Sequence, residues 1–312
     1  MSKLRLFRFG VQEHRAPSAK AWKEKARQVE ALGYSALYLP DHFSDQLGPI
    51  AALMAAADAT TRLRVGSLVF DNDYRHPVVL AKEAATLDVL SDGRFDLGLG
   101  AGWMASDYEQ AGLPFDSPGT RISRMEEALK IIKGLFAGQP FTFAGVHYQV
   151  KDIEGFPRPV QKPHPPILLG GGGRRMLRLA AREADIVNVN FDLREGRVNR
   201  ELVRTGLAEA TDEKLGWIRD AAGARLERIE LSVTIFLANI TDDRESIGAT
   251  MAAGFGGESK DILAMPHFLI GTVGEVIEDL QHRRERYGIS YVIITGEAAE
   301  SFAPVVARLA GK

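Results

Sequence analysis

The chain contains no cysteine. Thiol nucleophiles, disulfides and cysteine-ligated metals are thereby excluded. Long apolar runs are also missing: no stretch approaches the roughly 20 apolar residues that span a bilayer. Met1 to Gly10 carries Lys and Arg, but no apolar segment of the signal-peptide kind follows it. Excess charge of one sign is absent too. Lys and Arg number 39 against 41 Asp and Glu, for a net charge of −2. Such a balance gives no reason to expect nucleic acid or an anionic membrane as a partner. There is no GxxxxGK[ST] phosphate loop and no GxGxxG dinucleotide fingerprint. His76, His147, His164, His267 and His282 show no metal-ligand spacing, so no metal site is expected. No Ser-His-Asp arrangement stands out. A soluble, cytoplasmic protein acting on a small molecule is the expectation these absences leave.

What is present is an ordinary globular balance, 312 residues with 45% hydrophobic and 26% charged. This length suits one α/β barrel or two smaller domains. The stretch Asp88 to Trp103 organises the reading: a helix end, a turn at Ser91-Asp92-Gly93, a short strand from Phe95 to Leu99, then Gly100-Ala101-Gly102. Phe95, Leu97 and Leu99 form one apolar row, and Gly98 and Gly100 leave the other face bare. Bare backbone at a strand end admits a flat ligand, or merely relieves crowding inside a barrel. Strands are expected at Leu6–Val11, Ala36–Leu39, Arg64–Phe70, Pro166–Leu169, Ile186–Val189, Leu231–Ile240 and Tyr291–Ile294 as well. Amphipathic helices alternate with them at Ala19–Leu32, Pro49–Thr60, Pro77–Leu90, Arg121–Phe136, Met176–Glu183, Val198–Ala222, Asp243–Ala253 and Val273–Tyr287. Eight strand-helix units with no linker predict a single (β/α)8 TIM barrel over residues 1–312. Insertions are expected at Ala105–Gly119, Gln139–Pro165 and Gly254–Leu269, the second with a small hairpin at Phe141–Val150.

In such a barrel the carboxyl ends of the strands carry the chemistry. That rule selects Gln12, Glu13 and His14, then Asp41 and His42, then Asp71 and Asn72. It goes on to Gly100, Ala101, Gly102 and Trp103, the run Gly170-Gly171-Gly172-Gly173 with Arg174 and Arg175, and Asn188 and Asn190. A glycine run between a strand and a helix aims free N–H groups at an anion, with Arg174 or Arg175 as a charged partner; a merely flexible turn is the rival reading. His42 is the best acid–base candidate, because histidine ordinarily titrates close to neutrality. Asp41 is its nearest carboxylate in sequence, although strand neighbours point to opposite faces. A loop-capping histidine is the alternative.

Several segments together resemble the bacterial luciferase-like monooxygenases, in particular their coenzyme F420-dependent oxidoreductase branch. These are Leu32–Phe43 (LGYSALYLPDHF), Arg62–Phe70, His76–Trp103, Arg121–Phe136, Pro157–Asp185 and the GTVGEVIEDL segment from Gly271. The resemblance covers nearly the whole chain. It implies a (β/α)8 barrel, usually dimeric, holding a reduced deazaflavin or flavin at the strand carboxyl ends. It further implies His42, with Asp41 beside it, as the proton-handling residue. A third-strand bulge near Leu68-Val69, often with a cis peptide, would back the ring. Gly100, Ala101, Gly102 and Trp103 would border the ring, and Gly170 to Gly173 with Arg174 would hold the phosphate; Gln12 and Asn72 complete the expected cofactor set. The implied activity is hydride transfer between F420 and a small organic substrate. FMN-dependent monooxygenation is the alternative, and a non-catalytic cofactor-binding protein is a third. Sugar-phosphate dehydrogenases of the branch have a glutamate where this chain has Trp103, so that substrate is not carried over.

Overall fold

The computed structural model describes residues 5–197 and 200–312. Eight parallel strands form one closed sheet: β1 (Arg8–Gln12), β2 (Ala36–Leu39), β3 (Arg64–Ser67), β4 (Phe95–Gly100), β5 (Ile167–Gly171), β6 (Ile186–Val189), β7 (Glu230–Ile235) and β8 (Ile289–Thr295). Each strand pairs with the next, and β8 returns to β1 with Tyr291 opposite Arg8 and Thr295 opposite Gln12. The closed ring leaves no free edge, and helices cover it from outside, as the alternation predicts. No described helix is long and apolar enough to cross a membrane.

Period-two alternation divides each strand between two environments. In β4, Phe95, Leu97 and Leu99 point outward and are fully buried in the main core with Leu80, Ala84, Leu129 and Ile132. Burying a side chain of this size stabilises the fold by about 1.5–3 kcal/mol. The other face of the sheet is filled by Tyr38, Tyr291, Leu168, Ile186 and Ile293. Polar groups inside the barrel pair with each other toward the amino ends of the strands, although Arg8 Nη2 makes no hydrogen bond. Tyr291 donates to Tyr38 (2.8 Å) and Tyr38 donates to Asp96 (2.9 Å). Arg64 and Arg8 bind Asp96 and Glu230 respectively, at 2.5 and 2.6 Å. Among the described residues these groups fill the amino end of the barrel, and the carboxyl end is the one left open.

Local signals set the element ends. Pro77 opens helix Pro77–Leu90, with His76 accepting from the Val78 N–H. Its stop places Asp92 and Gly93 at φ +54° and +76°, the left-handed conformation that Gly93 predicts. Helix Val273–Tyr287 starts with a reciprocal Thr272–Glu275 capping box and ends at Gly288.

The structure departs from the expected elements at the carboxyl end. The third strand is not the continuous run Arg64–Phe70 but breaks at the Leu68-Val69 bulge that the resemblance implies: β3 stops at Ser67, the Leu68–Val69 peptide is cis, and Phe70–Asp71 resumes pairing beside β4. The seventh strand is two strands. β7 belongs to the barrel, whereas Leu237–Ile240 turns away and pairs in parallel with Phe268–Gly271, a strand that begins at the end of the expected insertion Gly254–Leu269. Apolar side chains continue through Phe236, so the direction change leaves no trace in the pattern. The expected long helix from Val198 is two helices, Arg200–Arg204 and Ala208–Ala222, and Val198 itself lies outside the described residues. The hairpin is present, pairing Phe141–Ala144 with Gln149–Ile153. A second apolar cluster, Phe191, Leu202, Val203, Ile262, Met265 and Phe268, joins the segment after β6, helix Arg200–Arg204 and the chain around Phe268–Gly271.

Candidate functional site

The carboxyl end of the barrel opens into a cavity of about 700 Å³, within the usual size range of cofactor and substrate sites. Gln12, Asp41, His42, Leu68, Val69, Gly100, Ala101, Gly102, Trp103, the four glycines from Gly170 and Arg174 all line it. Asn72 does not. It is 2% exposed, lies behind the wall and binds Asp73 and Tyr148. Glu13 and His14 are also off the cavity. Glu13 is buried against Lys25 (2.9 Å).

His42 sits on the loop after β2. Its Nδ1 lies 2.6 Å from Asp107 Oδ2, so beside this carboxylate Nδ1 is the donor. Nε2 has no protein partner among the described residues and is the ring nitrogen left for a ligand. Tyr74 donates to the same Asp107 oxygen at 3.3 Å, and Trp103 meets the imidazole edge-on, with centroids 5.8 Å apart. Asp107 is buried, so its charge is poorly shared with water. Asp41 is not the orienting carboxylate expected from its place beside His42. Its oxygens take Arg75 (2.5 and 3.2 Å) and the Asp71 N–H (3.1 Å), because successive residues leaving a strand diverge. Asp107 lies on helix Ala105–Ala111, inside a segment where the sequence shows no periodic pattern. An acidic residue in the first turn of a short helix was the one available signal.

Asp71 also lines the cavity. Burial pushes its pKa up to about 7, with the Asp73 and Asp41 charges adding to the effect. Tyr108 donates to Asp71 and Asp73 at 3.0–3.1 Å. Burial and these carboxylates hold the Tyr108 phenol far above its ordinary range. Gly102 (φ +75°) is required here, since a Cβ on it would lie 1.8 Å from Tyr108 Oη.

The bent third strand forms one wall. Gln12 donates to the Leu68 carbonyl (3.0 Å), and Val69 lines the cavity. Gly98, by contrast, is not on the cavity. A Cβ there would meet the Ser67 carbonyl oxygen at 1.8 Å, so it relieves crowding beneath the bend. Of the two readings left open for the fourth-strand glycines, crowding explains Gly98, whereas Gly100 and Gly102 also border the open space.

The glycine run divides similarly. A Cβ would strike Met176 (2.4 Å) from Gly171 and the Phe191 carbonyl (2.1 Å) from Gly172; Gly170 and Gly173 are free of such contacts. Gly173 precedes helix Arg174–Glu183, whose free N–H groups therefore begin at the cavity. The nearby Asp192 carboxylate is countered by Arg194, which binds it with Nε at 2.8 Å. This donor set fits the phosphate end of a flavin-like cofactor: bare backbone, a helix start and the unpaired Arg174. Leu193, Leu202, Phe236, Phe255 and Phe268 make an apolar wall of the same cavity; none is among the expected site residues, and only Phe255 and Phe268 lie in an expected insertion, Phe236 falling in an expected strand and Leu202 in an expected helix.

Fold and site together describe a (β/α)8 barrel with a cofactor-sized cavity at its carboxyl end, a histidine–carboxylate pair and an anion-suited helix start. The sequence profile of the luciferase-like monooxygenases matches residues 3–303, and the chain belongs to that family. It is 34% identical over 165 residues to an F420-dependent glucose-6-phosphate dehydrogenase of Microbacterium testaceum, covering 50% of this chain and 48% of that protein. An FMNH2-dependent dimethylsulfone monooxygenase of Pseudomonas putida is 27% identical over 244 residues, covering 75% of this chain and 62% of that one. The chain thus spans about half to three-fifths of these curated relatives. The F420-dependent tetrahydromethanopterin reductase of Methanopyrus kandleri superposes with a TM-score of 0.78 over 98% of this chain and all of that one, at 19% identity, a likeness of fold.

Proposed function

We propose that the protein is an F420-dependent oxidoreductase acting on a small organic substrate. The observation that carries this reading is His42, fixed through Nδ1 by buried Asp107, with Nε2 left without a protein partner, on a cavity that a bare glycine strand end also lines. A deazaflavin bound there supplies the hydride chemistry. The protein's own residues do the rest. Gly173 and Arg174 anchor the phosphate, Val69 and Gly100 to Gly102 set the plane of the ring, and the apolar wall excludes water. His42 Nε2 would accept the proton of the substrate heteroatom when the substrate is oxidised, and return it when the substrate is reduced, and Asp107 stabilises the imidazolium form. The wall of Phe236, Phe255 and Phe268 favours a substrate with an apolar body.

Reduced FMN is the second reading, favoured by the dimethylsulfone monooxygenase, whose similarity covers more of this chain than that of the glucose-6-phosphate dehydrogenase. The test is titration with F420 and FMN, oxidised and reduced. Tight F420 binding with weak FMN binding is expected. The reverse preference moves the assignment to an oxygen-using monooxygenase, and binding of neither removes it. Cofactor binding without turnover across a broad substrate screen, together with a silent His42→Ala variant, would leave a non-catalytic binding protein.

A further inference from the structure

Among the described residues one lysine is buried: Lys214, 3% exposed, on helix Ala208–Ala222. Its Nζ donates to the Asn190 carbonyl (2.7 Å) and the Thr205 carbonyl (2.5 Å). Burial pulls its pKa down to about 8, against the opposing charges of Asp192 and Glu213. A buried cation is costly unless it is well hydrogen-bonded. The two carbonyls bring together the ends of residues 190–205. Asn190 follows β6 and is itself fixed to β5, its N–H donating to the Gly171 carbonyl (2.9 Å). Thr205 follows helix Arg200–Arg204, and its hydroxyl accepts from the Asp192 N–H (3.0 Å). The stretch between them supplies Phe191, Leu193, Leu202 and Val203 to the cavity. Phe191, Leu202 and Val203 belong to the second apolar cluster. Helix Arg174–Glu183 and the Lys214 helix are seated instead in the main core, through Leu177, Ala180, Leu215 and Ile218. Lys214 thus runs as a strut from the main core to a wall built outside it. Closing the loop for stability alone is the plain alternative.

We infer that Lys214 is a positioning residue for the substrate: its ammonium, bonded to Asn190 and Thr205, holds the apolar wall at the spacing an apolar body fits. The inference rests on the use of that wall proposed above and is independent of which flavin or deazaflavin the cavity takes. Lys214 does not itself line the cavity. It acts through Thr205 on Leu202 and Val203. Without the ammonium, Asn190 stays tied to β5, but Thr205 keeps only its hydroxyl bond to Asp192. The far side of the wall then loosens while the glycine run stays in place.

The test measures affinity separately for the two parts of the cavity. N-phenylnaphthylamine, an uncharged apolar fluorophore, is titrated by fluorescence, and F420 and FMN by calorimetry. Wild type is compared with three variants. Lys214→Met keeps the aliphatic stem without the donors, Lys214→Arg keeps a charged donor, and Thr205→Val removes the second tie. Lys214→Met should weaken the fluorophore roughly five-fold or more, the scale of losing hydrogen bonds from a charged group. Its affinity for F420 or FMN should stay within about two-fold of wild type, as for independent sites. Lys214→Arg should recover part of the loss. Thr205→Val should shift the fluorophore in the same direction by a smaller factor, since a bond between neutral groups is weaker; it reads the same wall if Lys214→Met does not fold. Unchanged fluorophore affinity in these variants overturns the inference. So does a common fall in fluorophore and cofactor affinity that tracks a lower urea midpoint, for Lys214 then serves the fold alone. No fluorophore binding by wild type removes the role of the wall and this inference with it, while the cofactor reading stands. Binding of no flavin or deazaflavin removes the functional reading, and the fluorophore contrast among the variants still decides Lys214.

Discussion

At the scale of the residue, the site depends on which carboxylate holds His42. Asp41 is adjacent in sequence but committed to Arg75, whereas Asp107 reaches the imidazole at 2.6 Å. Their substitutions therefore have different consequences. His42→Ala should lower kcat about 10²- to 10⁴-fold while cofactor affinity is retained, the usual range for losing a positioned proton donor. Asp107→Asn keeps the shape but removes the charge that favours imidazolium. It should lower kcat about ten-fold or more while cofactor affinity is retained, with partial rescue by Asp107→Glu. An Asp107→Asn variant with the kcat of wild type would remove Asp107 from any role beyond packing.

At the scale of the element, the bend after β3 shows how one strand's side chains are set by its neighbour. Gly98 lies across from the bend, bound on both sides by Ser67: its N–H donates to Oγ (3.1 Å) and its carbonyl accepts from it (2.7 Å). A methyl group there would lie 1.8 Å from the Ser67 carbonyl oxygen, which is backbone, and 3.2 Å from Val69 Cγ1. Gly98→Ala should therefore destabilise the fold by about 1–3 kcal/mol or more, read as a lower urea midpoint at unchanged m. Gly216→Ala is the matching control. Gly216 is inside helix Ala208–Ala222 with nothing within 4 Å of the added Cβ, so stability should rise by about 0.5–1 kcal/mol. Equal effects at the two sites would mean that the bend, not Gly98, absorbs the change.

At the scale of the whole molecule, the buried acids of the cavity wall link folding to pH. The folded-state pKa of Asp71 is raised from 3.8 to about 7. The native state therefore keeps a proton that the unfolded chain releases. The stability from this group is full below about pH 4, falls as pH rises through the interval, and is lost above about pH 7. Asp71→Asn removes the titration. Its stability relative to wild type should rise between pH 4 and pH 8, by an upper limit of about 4 kcal/mol at 1.36 kcal/mol per pH unit. Urea titrations at several pH values measure the difference directly; a constant difference would show that Asp71 is ionised throughout.

The sequence by itself determined the barrel, because eight apolar strands alternating with amphipathic helices have few ways to bury both faces. It also determined most of the cavity's strand-end rim. Strand carboxyl ends are countable along a chain, and His42, Trp103, Gly170 and Arg174 fall where the count places them. Tertiary structure alone decided the partner of His42, the place of Asn72 behind the wall and the course of the chain after Phe236. Each depends on groups far apart in sequence: Asp107 lies 65 residues from His42, and Tyr148 lies 76 from Asn72. Local periodicity carries no information about such pairs. They form only once the closed sheet brings the loops from different strands to one rim.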